Sequence, residues 1–204
     1  MIIGITGYKG GVGKTTTAVH LAAYLAQSAP TVLVDGDTNR SALLWARAGK
    51  LPFETVAYEG LARAARNFEH IVIDSQARPR REELQSLADN CDFLVLPTNP
   101  ESMSLDAMLQ TAETLEQLKL EAGRYRILLT LIPPAPSQDG LKARSLLEGE
   151  GLALFPGQVR FTAAFRTASE RGVVVHQVTG NKLAKLAWMD YEGIGKTLGE
   201  GGNS

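Results

Sequence analysis

Two hydrophobic rhythms take turns along this chain. Largely apolar runs at 2–6, 31–34, 70–74, 93–97 and 125–132, without polar alternation, read as strands. Between them lie stretches whose apolar residues recur every three or four positions. Over 16–27 these are Ala18, Leu21, Ala22 and Leu25, which predicts a helix. Helices are likewise expected over 41–48 (closed by Gly49), 60–67, 82–90, 105–120, 140–148 and 182–197, and weaker strands at 53–57 and 152–161. The run Pro133-Pro134-Ala135-Pro136 is a stiff loop that cannot join a central ladder.

Strands that are apolar at consecutive positions have no face to give to water. Alternating with helices, they predict a mostly parallel sheet covered on both sides, a doubly wound α/β fold. Such a sheet places its cleft at the carboxyl ends of the strands, and the candidate motifs below all fall there. No internal repeat or long linker divides the chain, so 1–198 reads as a single domain and 199–204 as a frayed tail.

Composition narrows the options. With 204 residues, 44% of them apolar, the chain can bury a full core and still leave a cleft. Cys91 is the only cysteine, which excludes an internal disulfide and an iron–sulfur cluster held by several cysteines of one chain. His20, His70 and His176 lack metal-ligand spacing and read as surface or partly buried residues. A net charge of −1 argues against polyanion binding by bulk charge, leaving only a local patch. No apolar run approaches the ~18 residues of a membrane span. The chain opens in an apolar strand without a basic lead, so a cytoplasmic setting is expected.

The first strand runs into Gly7-Tyr8-Lys9-Gly10-Gly11-Val12-Gly13-Lys14-Thr15-Thr16. Glycines let the backbone curl so that its N–H groups point inward at phosphate oxygens, and the following helix adds its positive end. Lys14 supplies a point charge for the β- and γ-phosphates, and the Thr15 hydroxyl is a natural Mg²⁺ ligand. Together they predict a P-loop for Mg²⁺·ATP, with Lys9, Gly10, Gly11, Val12, Gly13, Lys14, Thr15 and Thr16 at the phosphates.

Tyr8 stands where the common pattern has its first glycine, and an extra lysine, Lys9, precedes the glycines. This resembles the deviant Walker A loop, Lys-Gly-Gly-x-Gly-Lys-Thr, of the ParA/MinD family of ATPases. The resemblance implies that Lys9 reaches across a two-fold interface to the partner's ATP, giving a homodimer in the ATP state. Two facing triphosphates carry dense negative charge, and a lysine from each side would neutralise it.

The second strand ends in Asp35-Gly36-Asp37-Thr38-Asn39, where the family carries Asp-x-Asp-Pro-Gln. The resemblance implies that Asp37 orients the attacking water and belongs to the metal site, with Asp35 a weaker candidate near the phosphates. Asp37 could instead cap the next helix. The third strand ends at Asp74, read as the Walker B acid that meets Mg²⁺ through water, or else as a turn former. Residues 75–79 depart from the family's Asp-Thr-Pro pattern. In relatives the adenine lies beside the positions of Thr130 and Pro133, although a plain surface loop would also explain them.

The resemblance spans nearly the whole chain. The short length, with no DNA-reading helix-turn-helix ahead of the loop, is similar to small ParA proteins. Their pattern implies non-specific DNA binding, nucleoid association, a cargo such as a plasmid, chromosome or protein organelle, and a partner that stimulates hydrolysis. Candidate DNA contacts are Arg160, Arg166, Arg171, Lys182 and Lys185, the last two expected on one helix face. A MinD-like membrane cycler would need an amphipathic helix, of which Trp188 and Met189 offer only a fragment. A metabolic kinase leaves Lys9 without a role. Basal hydrolysis is expected to be slow, because no residue reads as an intrinsic arginine finger.

Overall fold

The computed structural model describes residues 1–64, 66–121 and 123–200. Six strands make one sheet: β1 (Ile2–Ile5), β2 (Thr31–Gly36), β3 (Glu54–Ala57), β4 (His70–Ser75), β5 (Phe93–Thr98) and β6 (Tyr125–Leu129). Their order is β3-β2-β4-β1-β5-β6, and every pairing is parallel. The helices are α1 (Lys14–Leu25), α2 (Ser41–Ala46), α3 (Leu61–Ala64), α4 (Arg81–Asn90), α5 (Ser102–Gln117), α6 (Asp139–Gly149), α7 (Ala164–Arg171) and α8 (Ala184–Glu200).

The largely apolar runs have the physical cause expected of them. On β2, Leu33 faces a core built with α1, α2, α7 and α8, while Val32 and Val34 face a second core built with α4, α5 and α6. Ile71 and Ile73 on β4 split from Val72 in the same way. Truncating a fully buried side chain such as Leu33 or Leu94 to alanine would cost about 2–5 kcal/mol. Helices α1 and α8 approach unusually closely, because a Cβ on Gly195 would fall inside the ring of Tyr24.

Four readings change. The strand expected over 152–161 is reduced to isolated bridges, Ile127 with Leu154 and Ile132 with Arg160, because Pro156 and Gly157 interrupt it. Helix α7 was not anticipated: only Ala164, Phe165 and Ala168 are buried, too sparse a stripe to show in the pattern. Of the helix expected over 60–67, α3 occupies Leu61–Ala64, with a tight turn at Tyr58–Gly60 before it. The tail expected from residue 199 starts inside α8, and 201–204 lie outside the described residues.

From β1 the chain moves to β2 on one side and only later reaches β5 on the other. The carboxyl end of β1, flanked by β4 and β5, is therefore the topological switch point where an open α/β sheet binds its ligand.

Candidate functional site

The glycine-rich loop sits at that switch point. Gly11 (φ 78°) and Gly13 (φ 84°) adopt left-handed backbone that a side chain would strain, and Gly13 is the residue from which α1 starts. Lys14 is almost fully buried, and its Nζ donates to the carbonyl of Lys9 at 2.8 Å, drawing the loop into a closed ring. Burial lowers the Lys14 pKa, against the pull of Asp74 and Asp37. Tyr8 is docked on α5, its hydroxyl donating to Thr114 Oγ1 at 3.1 Å, so the residue in place of the first glycine anchors the loop.

Thr130 is buried at the end of β6. Its hydroxyl faces two carbonyls, Val12 at 2.8 Å and Thr98 at 3.0 Å, and so ties the loop to the neighbouring strand end. It also lines a cavity of about 430 Å³ that leads from Gly13, Thr15 and Thr16 towards Phe161 and Arg166. Pro133 lines an adjoining hollow of about 250 Å³ with Ile132 and Phe161. Tyr191 lines the larger cavity and rests on a buried histidine that no motif announces. His20, one turn beyond Thr16 on α1, is fully buried and stacks on Tyr191. Its Nε2 accepts the Val175 N–H at 3.1 Å, so Nδ1 carries the proton and donates to the Thr16 carbonyl at 2.7 Å. Burial depresses its pKa to about 4, which keeps the ring neutral.

The three aspartates separate by environment. Asp35 accepts the N–H of Asp37 at 3.1 Å and of Leu43 at 2.9 Å, so Asp35, rather than Asp37, satisfies the start of α2. Asp37 is half-buried and accepts from the backbone and side chain of Asn39 at 2.8 and 3.0 Å. Asp74 is fully buried, and neither carboxylate oxygen has a hydrogen-bond partner among the described residues. Burial pushes its pKa up to about 7; Thr15, near but outside hydrogen-bond geometry, pulls it back, Asp35 adds to the rise, and Lys14 opposes it.

An orphaned carboxylate beside a hydroxyl suits a hydrated divalent cation. No cluster of three or more metal-ligating side chains exists among the described residues. Mg²⁺ does not need one, since it keeps waters and takes one or two protein ligands plus phosphate oxygens. Thr15 and Asp74 are the groups that could hold it.

The basic candidates do not form one free patch. Arg160 makes a two-point ion pair with Asp190, both contacts at 2.7 Å, so its guanidinium is already engaged. Arg166 lies 3.9 Å from Glu170 and is mostly exposed. Arg171, Lys182 and Lys185 are exposed. Lys182 precedes α8 in a turn, so it does not share a helix face with Lys185. Trp188 is buried beside His176 and belongs to the core, leaving Met189 exposed without it.

A closed glycine loop at the switch point, a buried lysine across it and an acid at the end of the adjacent strand define a P-loop nucleotide-binding domain. The chain belongs to the CobQ/CobB/MinD/ParA nucleotide binding domain family, whose model matches residues 3–175. It is 32% identical over 206 residues to "Maintenance of carboxysome distribution protein A" of Gloeobacter kilaueensis, covering 97% of this chain and 93% of that one. The protein of the same description from Halothiobacillus neapolitanus is 26% identical over 187 residues, covering 86% and 87%. Among solved structures, a Cyanothece McdA variant in complex with ATP superposes with a TM-score of 0.73 at 17% identity, covering 98% and 95%, and so shares the fold. No helix among the described residues is long and apolar enough to cross a membrane.

Proposed function

We propose that this chain is a ParA-type ATPase that binds Mg²⁺·ATP, dimerises on it, and holds a cargo in position along nucleoid DNA. A partner protein sets off hydrolysis and release. The reading is carried by Asp74, a buried carboxylate without a hydrogen-bond partner among the described residues, close to Thr15 and Lys14 at the mouth of the phosphate loop.

Each residue then has a task. The amides of 10–16 and the Lys14 ammonium gather the triphosphate. Thr15 and Asp74 would hold Mg²⁺, which would offset phosphate charge when bound. Lys9 serves the partner's nucleotide across the two-fold axis, and Asp37 orients the attacking water. The cavity beyond Thr16 and the hollow by Pro133 offer apolar walls for the base. The resemblance to two carboxysome-distribution proteins favours a protein organelle as cargo over a plasmid.

The decisive experiment is a calorimetric titration with Mg²⁺ and a non-hydrolysable ATP analogue, followed by sedimentation. Heat release together with a shift from one subunit to two is expected. Absence of heat ends the reading. For the cargo, a fluorescent fusion imaged with a tagged shell protein in the native cell should follow the organelle's spacing.

A membrane-cycling reading has one observation in its favour: Leu183, Leu186 and Met189 are exposed close to Lys182 and Lys185. DNA retention and liposome flotation, each with and without the analogue, separate the two. DNA retention alone is expected.

A further inference from the structure

The five residues directly after Ser75 form a strained loop. Residues 76–80 read Gln-Ala-Arg-Pro-Arg and join β4 to α4. At the centre, Arg78 has φ 55°, a left-handed backbone on a non-glycine residue. It also precedes Pro79, and a residue before proline is normally pushed to extended backbone. Arg78 is thus held away from both of its ordinary preferences.

What holds it is Glu83. This one carboxylate accepts the Gln76 side-chain N–H at 2.7 Å and the Arg80 backbone N–H at 2.9 Å, gripping both ends of the loop. Pro79 is buried between them. Backbone strain survives only where its surroundings over-determine it, and such places concentrate at ligand clamps and switches.

The loop's neighbour is the phosphate loop: a Cβ on Gly10 would meet the Ala77 methyl at 3.8 Å. The flanking arginines are committed, Arg80 to Glu83 and Arg81 to Gln117. Arg78 is exposed, and among the described residues it makes no ion pair and no side-chain hydrogen bond. A clamped loop therefore carries an uncommitted arginine one residue from Ala77, which sits against the phosphate loop. It also borders a cavity of about 390 Å³, which leaves it room to shift.

From this arrangement we infer that Arg78 contacts the terminal phosphate of the bound triphosphate and makes the site discriminate ATP from ADP. The inference rests on the ATPase reading above. A guanidinium offers paired N–H donors to phosphate oxygens, and it gains a contact only when a third phosphate is present.

The test compares wild type, Arg78→Gly and Arg78→Lys for binding of Mg²⁺·ADP and of a non-hydrolysable Mg²⁺·ATP analogue by calorimetry. Glycine accepts positive φ, so Arg78→Gly removes the side chain while relieving the backbone. It should weaken analogue binding about ten- to hundredfold and leave ADP binding within about twofold. Lysine should recover only part of the loss, because it keeps the charge without the fork.

Measurements below and above the concentration at which dimers form identify whose phosphate is touched. A loss at all concentrations means the subunit's own nucleotide, and a loss confined to dimers means the partner's. Unchanged analogue binding in Arg78→Gly, or equal losses for analogue and ADP, overturns the inference alone. Wild type that binds neither ligand overturns the ATPase reading, and this inference with it.

Discussion

Asp35 and Asp74 face each other in register on neighbouring parallel strands, and their carboxylates are used in opposite ways. Asp35 accepts two backbone N–H groups and folds the β2–α2 loop. Asp74, equally buried, has none among the described residues. One acid builds the scaffold, and the other is left for whatever enters.

That imbalance has a pH signature. An unfolded aspartate titrates near ~3.9, whereas burial raises Asp74 to about 7. Its protonated form therefore favours the fold. The stabilisation is complete below the unfolded pKa and is lost as pH climbs through about 7. Without nucleotide, Asp74→Asn should melt above wild type at pH 8, with a smaller gap at pH 5. The difference should be several degrees, at about 2–4 °C per kcal/mol for a chain of this size. A gap that does not vary with pH would remove Asp74 as its cause.

Thr130→Val keeps the shape and deletes the hydroxyl that ties Val12 to the end of β5. A net loss of about 1 kcal/mol, or a melting point lower by about 2–4 °C, is expected. Nucleotide binding should weaken by a similar free energy, roughly fivefold. Calorimetry and thermal melts report the two separately, and a variant equal to wild type in both would show that the tether is idle.

The two lysines should part company. Lys14→Ala loses a buried charge that also closes the loop on Lys9, so nucleotide binding should disappear in calorimetry. Lys9→Ala should bind the ATP analogue yet sediment as a single subunit. A dimer that persists in Lys9→Ala would refute the proposed reach across the interface.

Asp37→Ala should bind ATP and dimerise but stall before hydrolysis, because Asp35 rather than Asp37 satisfies the start of α2 and the loop stays folded. Phosphate release under single-turnover conditions measures it. Turnover at the wild-type rate would exclude Asp37 from the chemistry.

Much of this was readable from residue order alone, for a physical reason. β1, β2, β4 and β5 are buried on both faces, and continuous burial leaves an unambiguous apolar run. The phosphate loop is a local device whose residues act within a few positions of each other. What could not be read depends on distant partners. Arg160 looks free until Asp190, thirty residues on, takes two of its three guanidinium nitrogens. His20 is a polar type that seldom enters a core, and only folding brings Val175 to its acceptor nitrogen. The strain at Arg78 needs Glu83 to close over it, which no motif announces.

Gly195 leaves no gap between α1 and α8, since the Tyr24 ring fills the space a side chain would need. Thr17 and Tyr191 share a hydrogen bond at 3.1 Å along the same seam. Two rods seated this tightly cannot roll or slip a turn against each other. A side chain added at Gly195 would have to push α1 and α8 apart, so the pair is held as one unit by that missing Cβ.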